Sequence, residues 1–281
     1  MRIVCRACAK INWALDILNR REDGYHEMNM LIQSIELADE LAFESARFLS
    51  LSVNGKPLPT GGRNLVIRAA NALNEYTGSR CGARIRLKKN IPIRAGLGGG
   101  SADCAAALLA LNQLWQLHLP MDILMKIAAT LGADVPFMLR GGLAQVGGIG
   151  EVIHPLDNPS RIPLVLITPP PGLSTPQVFG AFDESPVPAY GLDPAALADA
   201  LRSFDLVRAD AIARNSLESA AIRLLPAVGE AMDALRDHDA AMVRMSGSGS
   251  TVFGAFDSEE KAAAAAKSIP GAVLTHSALT L

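Results

Sequence analysis

Residues 92–107 read Pro-Ile-Arg-Ala-Gly-Leu-Gly-Gly-Gly-Ser-Ala-Asp-Cys-Ala-Ala-Ala. Four glycines, Gly96, Gly98, Gly99 and Gly100, remove side chains where an alanine-rich helical run begins. Backbone without Cβ atoms takes positive φ and lets a ligand come close. The first amides of a helix are unpaired and carry the positive end of its dipole. The two properties together make a cradle for phosphate. No Lys-Ser or Lys-Thr closes the segment as in a Walker loop. It is not the dinucleotide fingerprint either: counting from Gly96 gives Gly98 and then Ser101 where a third glycine should stand. A flexible turn capped by Ser101 or Asp103 is the alternative reading.

Four other segments carry groups that could act with such a cradle. Ala9-Lys10-Ile11-Asn12 lies on an alternating stretch, and period two puts Lys10 and Asn12 side by side on one face. Lys10 could equally reach out to water along its stem. Arg21-Glu22-Asp23-Gly24-Tyr25-His26 is a turn followed by an aromatic ring and an imidazole, by itself an ordinary loop. Leu131-Gly132-Ala133-Asp134-Val135-Pro136-Phe137 sets a carboxylate among apolar and turn residues. Burying that charge alone costs several kcal/mol, so Asp134 either caps a turn or meets partners in a site. Met245-Ser246-Gly247-Ser248-Gly249-Ser250-Thr251 is a second small-residue loop, either a tight turn or a place where backbone closes on a ligand.

These segments need elements to hold them. From Ile3 to Ile17 the odd positions are apolar, the pattern of a strand with one apolar face, while Arg6, Lys10, Asn12 and Asp16 lie on the even face. Further strands are expected at 30–35, 39–43 and 84–88, and a strand at 49–53 runs to a hairpin turn at Asn54-Gly55. Helices are expected over 64–74, from the glycine loop to about Trp115, and from Pro120 to about Leu131. A glycine-rich stretch over 141–150 and an apolar strand at 164–167 follow. Helices at about 175–183, 194–202, 226–237 and 258–267 then alternate with strands at about 241–245, 251–256 and 272–276. This order predicts an α+β protein rather than a doubly wound parallel sheet.

Composition agrees with a packed enzyme-sized chain. Its 281 residues favour two domains, 1–155 and 156–281, and 49% hydrophobic against 19% charged residues leaves no sign of disorder. A net charge of −2 argues against a nucleic-acid partner. No apolar run approaches the roughly 18 residues of a membrane span, and Arg2, Arg6 and Lys10 interrupt any secretory core, so a cytoplasmic protein is expected. Cys5 and Cys8 form a CxxC, but three apart on a strand they point to opposite faces. Together with Cys81 and Cys104 they read as reduced thiols rather than metal ligands.

Taken in order, AKIN (9–12), GLGGGSAD (96–103), GADVPF (132–137) and SGSGS (246–250) resemble the GHMP kinases over nearly the whole chain. AKINWALDILNRREDGYHEM (9–28), NLVIRAA (64–70), GADVPFMLRGGLA (132–144), STPQVF (174–179), NSLE (215–218) and MSGSGS (245–250) resemble the branch whose acceptor is a cytidine diphosphate-linked methylerythritol. Cys8, Trp13 and Ala102 depart from the usual pattern, and Ala102 removes a hydroxyl that could have touched phosphate or Mg²⁺.

The resemblance implies a two-domain α+β GHMP kinase fold. Its N-terminal, ATP-binding part is ribosomal protein S5 domain 2-like, and its ferredoxin-like C-terminal α/β sandwich completes the substrate cleft. It implies phosphorylation of the acceptor's 2-hydroxyl by ATP with Mg²⁺, in non-mevalonate isoprenoid precursor synthesis. Asp134 would be the general base and Lys10 its charged companion. Arg94, Ala95, Gly96, Leu97, Gly98, Gly99, Gly100, Ser101, Ala102, Asp103 and Cys104 would hold the ATP phosphates, with Asn64 and Leu65 near adenine. Asn12, Tyr25, His26, Thr175 and Phe179 would bind the acceptor, the two aromatic rings stacking on cytosine and His26 bonding its edge. No protein ligand for the metal is evident. A monomer or weak homodimer is expected. The alternatives are a homoserine- or mevalonate-type kinase and a nucleotide-binding relative without catalysis, against which Lys10 and Asp134 both speak.

Overall fold

In the computed structural model, residues 1–54, 58–157 and 160–278 are described. They form two compact units whose segments alternate along the chain. One unit comprises residues 1–9, 37–92 and 98–140, the other 10–36, 93–97 and 141–281. Two long paired strands, β1 (Arg2–Arg20) and β2 (His26–Ala46), run through both.

β2 is one strand of 21 residues where two were expected. The alternation is broken by Gln33, Ser34 and Asp39, all fully buried. Two of the three are held by polar partners: Gln33 accepts from Trp13 Nε1 at 2.8 Å, and Asp39 accepts from the amides of Asn90 and Ile91. A satisfied polar side chain can stay inside a strand without ending it.

In the first unit, the end of β2 pairs antiparallel with β4 (Gly82–Lys88), Glu40 facing Lys88 and Ala46 facing Gly82. β3 (Ser50–Asn54) pairs with β4 in parallel, so no β3–β4 hairpin forms; Gly55 of the expected turn lies outside the described residues. Between these strands, α1 (Leu65–Thr77) begins at Asn64, whose Oδ1 accepts from Val66 N at 2.9 Å. α1 packs on α2 (Gly99–Leu114) and α3 (Met121–Leu131), and α2 packs on α4 (Val135–Arg140). α2 is apolar nearly all round, as an enclosed helix must be; Ala102 to Leu108 are all buried.

In the second unit, the start of β2 pairs with β5 (Leu143–Gly148), which pairs with β6 (Val152–Leu156). Residues 143–148 of the glycine-rich stretch are therefore a strand, because small residues do not prevent ladder bonds. After β7 (Pro163–Ile167) come α5 (Thr175–Glu184), α6 (Pro194–Arg202), α7 (Leu206–Ile212), α8 (Glu218–Leu224) and α9 (Ala227–Asp237). β8 (Met242–Met245), β9 (Val252–Ala255), α10 (Glu259–Ser268) and β10 (Val273–His276) follow. The sheet order β10-β7-β9-β8, antiparallel throughout, is the ferredoxin-like arrangement. Trp13 seals the core, edge-on to Phe253 at 5.4 Å.

Among the described residues no helix is long and apolar enough to cross a membrane. Cys5 and Cys104 form no disulfide, and burial pushes their thiols up to about 11 and about 12.

Candidate active site

From Lys10 to Asp16 the even face of β1 does not meet water, whereas Arg6 is exposed. Lys10 and Asn12 are buried, and Asp16 is fully enclosed. Lys10 Nζ donates to Asn12 Oδ1 at 2.5 Å, and Lys10 N donates to Leu97 O at 3.0 Å, which ties the strand to the start of the glycine loop. Asn12 Nδ2 points at Met30 Sδ, 3.4 Å away. Asp16 accepts from the amides of Tyr190, Gly191 and Leu192 at 3.0–3.1 Å, so its charge fixes a loop.

The late small-residue loop packs against the same strand. Ser246 Oγ donates to Gly96 O at 3.0 Å and accepts from Asn12 N at 3.3 Å. Gly96 has φ +74, and a Cβ there would overlap the Ser246 carbonyl. Gly247, at φ +56, lies against Lys10 Nζ and Asn12 Oδ1. Only glycine fits position 96, and at 247 a side chain would be strained and would press on Lys10 and Asn12. Behind the loop, Asn215 Nδ2 donates to the carbonyls of Met245 and Gly247, both at 2.8 Å, and Glu218 Oε1 accepts from Met245 N at 2.8 Å. Burial pushes the Glu218 carboxyl up, and that amide works against it. Thr175 and Ser248 share a hydroxyl bond of 2.8 Å. The second unit thus brings Lys10, Asn12, Arg94 to Leu97 and Thr175 onto one scaffold. Arg94 sits at φ 54 with its carbonyl accepting from Leu173 N.

His26 and Phe179 also meet in this unit. Their ring centroids are 4.9 Å apart with planes at 32°, and His26 Nε2 is 2.7 Å from Asp183 Oδ1. Nδ1 is then the ring nitrogen left for a ligand. Tyr25 is 61% exposed and has no aromatic partner among the described residues.

In the first unit, Gly98 caps α2 at φ +67 with no side-chain cap, so Gly99, Gly100 and Ser101 present the first-turn amides. A Cβ on Gly100 would stand 3.6 Å from Leu65 Cδ1, which puts Leu65 beside the cradle. Asn64 spends its side chain on capping α1 and on Pro59 O. Ala102, Asp103 and Cys104 lie past the first turn with buried side chains. Asp103 is bonded inward to Lys89 Nζ at 2.8 Å. Asp134 precedes α4 half-buried; its carbonyl accepts from Met138 N, and its carboxylate makes no hydrogen bond or ion pair with a described residue. It therefore does not cap its turn.

An uncapped helix start behind side-chain-free backbone fits a nucleotide triphosphate. Among the described residues no cluster of three or more His, Cys, Asp or Glu could hold a metal ion.

Several of these residues carried no signal as a site. Asn215, Ser246 and Glu218 sit in family-like motifs, NSLE and MSGSGS, without a role readable from their types. Asp183 lies four residues after Phe179 on α5, the spacing of one helix face. Asp39 opens an expected strand and Lys89 directly follows another, with nothing in either type to mark a site.

The family model for the N-terminal domain of GHMP kinases matches residues 64–142, and the model for their C-terminal domain matches 197–273. The chain belongs to the GHMP kinases, a family that uses ATP. It is 46% identical over 256 residues to the 4-diphosphocytidyl-2-C-methyl-D-erythritol kinase of Pelotomaculum thermopropionicum, covering 90% of this chain and 89% of that one. The enzyme of the same name from Geobacter metallireducens is 39% identical over 95% of this chain and 94% of its own. A crystal structure of 4-(cytidine 5'-diphospho)-2C-methyl-D-erythritol kinase superposes with a TM-score of 0.85 at 38% identity, covering 98% of this chain and all of that one. A homoserine kinase from Cytophaga hutchinsonii, at 20% identity and TM-score 0.77, shares the fold.

Proposed function

We propose that this chain transfers the γ-phosphoryl group of ATP to the 2-hydroxyl of 4-diphosphocytidyl-2-C-methyl-D-erythritol, giving the 2-phosphate and ADP in non-mevalonate isoprenoid precursor synthesis. The observation that carries the acceptor is the 46% identity, over nine-tenths of the chain, to a kinase of that name. The adjoining, tilted rings of His26 and Phe179 support it from the site, since planar rings hold a planar base.

Phosphoryl transfer requires positioning, charge neutralisation and removal of the acceptor's proton. Asp134, with its carboxylate uncommitted, takes the proton from the 2-hydroxyl. Lys10, aimed by Asn12, stabilises the negative charge that grows on the attacking and transferring oxygens. The amides of Gly99 to Ser101 hold the phosphates, with the Ser101 hydroxyl beside them and the backbone of residues 94–98 lining the approach. Ala102, Asp103 and Cys104 support this turn from inside. Asn64 and Leu65 lie toward adenine. Mg²⁺ held by the triphosphate itself would screen its charge, since no cluster of described residues could bind the ion. Thr175, Asn12, Tyr25, His26 and Phe179 bind the acceptor.

Residues 1–155 carry the nucleotide and 156–281 complete the acceptor side. The enzyme works in the cytoplasm as a monomer or weak homodimer, with small-molecule partners and neither nucleic acid nor membrane. The test is ADP release measured separately with the cytidyl acceptor, homoserine and mevalonate. Turnover with the first alone supports the reading. Turnover with either of the others, or none with all three, overturns it.

A further inference from the structure

We propose that the buried triad Asp39–Lys89–Asp103 is the positioning device of the phosphate cradle, holding the first turns of α2 and setting the charge that an incoming triphosphate meets. The inference rests on the cradle binding ATP.

Lys89 follows β4 directly, and its side chain is 3% exposed. Its ammonium is hydrogen-bonded to Asp39 and, at 2.8 Å, to Asp103 Oδ2 on the second turn of α2. Asp39 also accepts from the amides of Asn90 at 2.6 Å and Ile91 at 2.9 Å, while Asn90 Nδ2 donates to Ala38 O at 2.8 Å. The segment 89–91 is thereby fixed to β2. Gly99, the first residue of α2, rests on it: a Cβ there would come 2.9 Å from Ile91 Cγ2 and 3.3 Å from Lys89 Nζ. One ammonium under the first helical residue thus links β2, the loop and the helix that presents the amides.

Two carboxylates share one cation here, so the fully ionised triad carries one surplus negative charge. Asp103 Oδ1 is buried without a hydrogen-bond partner among the described residues. An orphaned oxygen is more costly charged than neutral. Burial first, and then Asp39, push the Asp103 carboxyl up to about 7 against the pull of Lys89. Cys5 of β1 and Cys104 of its own helix also interact with Asp103, both thiols held neutral by burial, and Arg68 of α1 acts on Cys104. No charged group of α3 or α4 pairs with it among the described residues. Asp103 is therefore the member that changes charge near neutrality. Below about pH 7 the triad is neutral; above it, the surplus negative charge opposes a triphosphate.

The experiment measures the dissociation constant of a non-hydrolysable ATP analogue with Mg²⁺ from pH 6 to 8, together with KM for ATP and for the acceptor. Wild type should bind about three- to tenfold more weakly at pH 8 than at pH 6, the scale of one charge at moderate distance in a partly polar medium. Asp103→Asn keeps the shape, removes the titration and should hold the low-pH affinity across the range. Lys89→Met should raise KM for ATP about tenfold or more while leaving KM for the acceptor within twofold. Lys89→Arg should restore most of that loss, which also covers a Met variant that does not fold. Analogue binding by wild type with no change in Asp103→Asn overturns the triad's role alone. A wild type that binds no analogue overturns the cradle reading, and the triad's role with it.

Discussion

Gly247 and Lys10 face each other so closely that a Cβ on the glycine would stand 3.2 Å from the Lys10 ammonium. The same atom would come 3.3 Å from Asn12 Oδ1 and from Gly96 O, and the backbone is at φ +56. Gly247→Ala therefore adds left-handed strain of about 1–2 kcal/mol and displaces the ammonium by a few tenths of an ångström. Melting temperature should fall by about 2–5 °C. The kcat should fall about tenfold, because displacing a positioned charge is felt in the transition state. A folded variant with unchanged kcat would show that Lys10 does not act at the reacting oxygen.

Asn215 controls the loop from behind. It donates to Met245 O and Gly247 O and accepts from Leu217 N at 2.9 Å, all buried. Asn215→Ala leaves two carbonyls and an amide without partners, a loss of about 2–4 kcal/mol. Denaturant unfolding should show that loss, and kcat should fall even where the protein is fully folded. Intact stability would mean that other groups or water take over the three bonds.

The legible parts of this molecule are those with local causes. The alternation of residues 3–17 and the helix starts near Asn64 and Pro120 depend on near neighbours, and the elements they announce are present. Burial of Asn12 and Asp16 could not be read, because Asn12 meets Ser246 and Asp16 meets 190–192, more than 170 residues away. The short helices α7 and α8 and the strand β6 occupy five to seven residues each, too few for a period to stand out. Asp39 and Lys89 did not stand out because a charge gives no local sign of the partner that will enclose it. The backbone of the glycine loop was legible for the opposite reason: positive φ at Gly96 and Gly98 and a helix starting at Gly99 follow from consecutive small residues.

The acceptor side gives a prediction about base recognition. His26 Nε2 lies 2.7 Å from Asp183 Oδ1, and Arg20 approaches the other oxygen at 3.4 Å. With the proton on Nε2 and directed at Asp183, Nδ1 is an acceptor, which suits an amino group on a base edge. Asp183→Asn should raise KM for the cytidyl acceptor about tenfold or more, the scale of one hydrogen bond to a charged group, and leave KM for ATP unchanged. Phe179→Ala should do the same by removing a stacking face worth about 1–3 kcal/mol per base. The exposed Tyr25 gives the comparison: Tyr25→Ala should also act on the cytidyl acceptor rather than on ATP. Equal effects on both substrates would remove these residues from the base site.

Asp134 separates the catalytic reading from a purely structural one. A carboxylate that caps a turn is bonded to that turn's amides, and its loss costs stability of roughly 0.5–2 kcal/mol. Asp134 makes no such bond, although it is half-buried before a helix whose five leading residues are all buried. Asp134→Asn should therefore leave the melting temperature and ATP binding nearly unchanged, and kcat should fall at least ~10²-fold, the range of a positioned general base. Calorimetric binding of ATP, thermal melting and steady-state turnover on one preparation distinguish the cases. Lower stability with near-normal turnover would make Asp134 a turn residue. Preserved stability and binding with collapsed turnover would leave proton removal from the acceptor as its role.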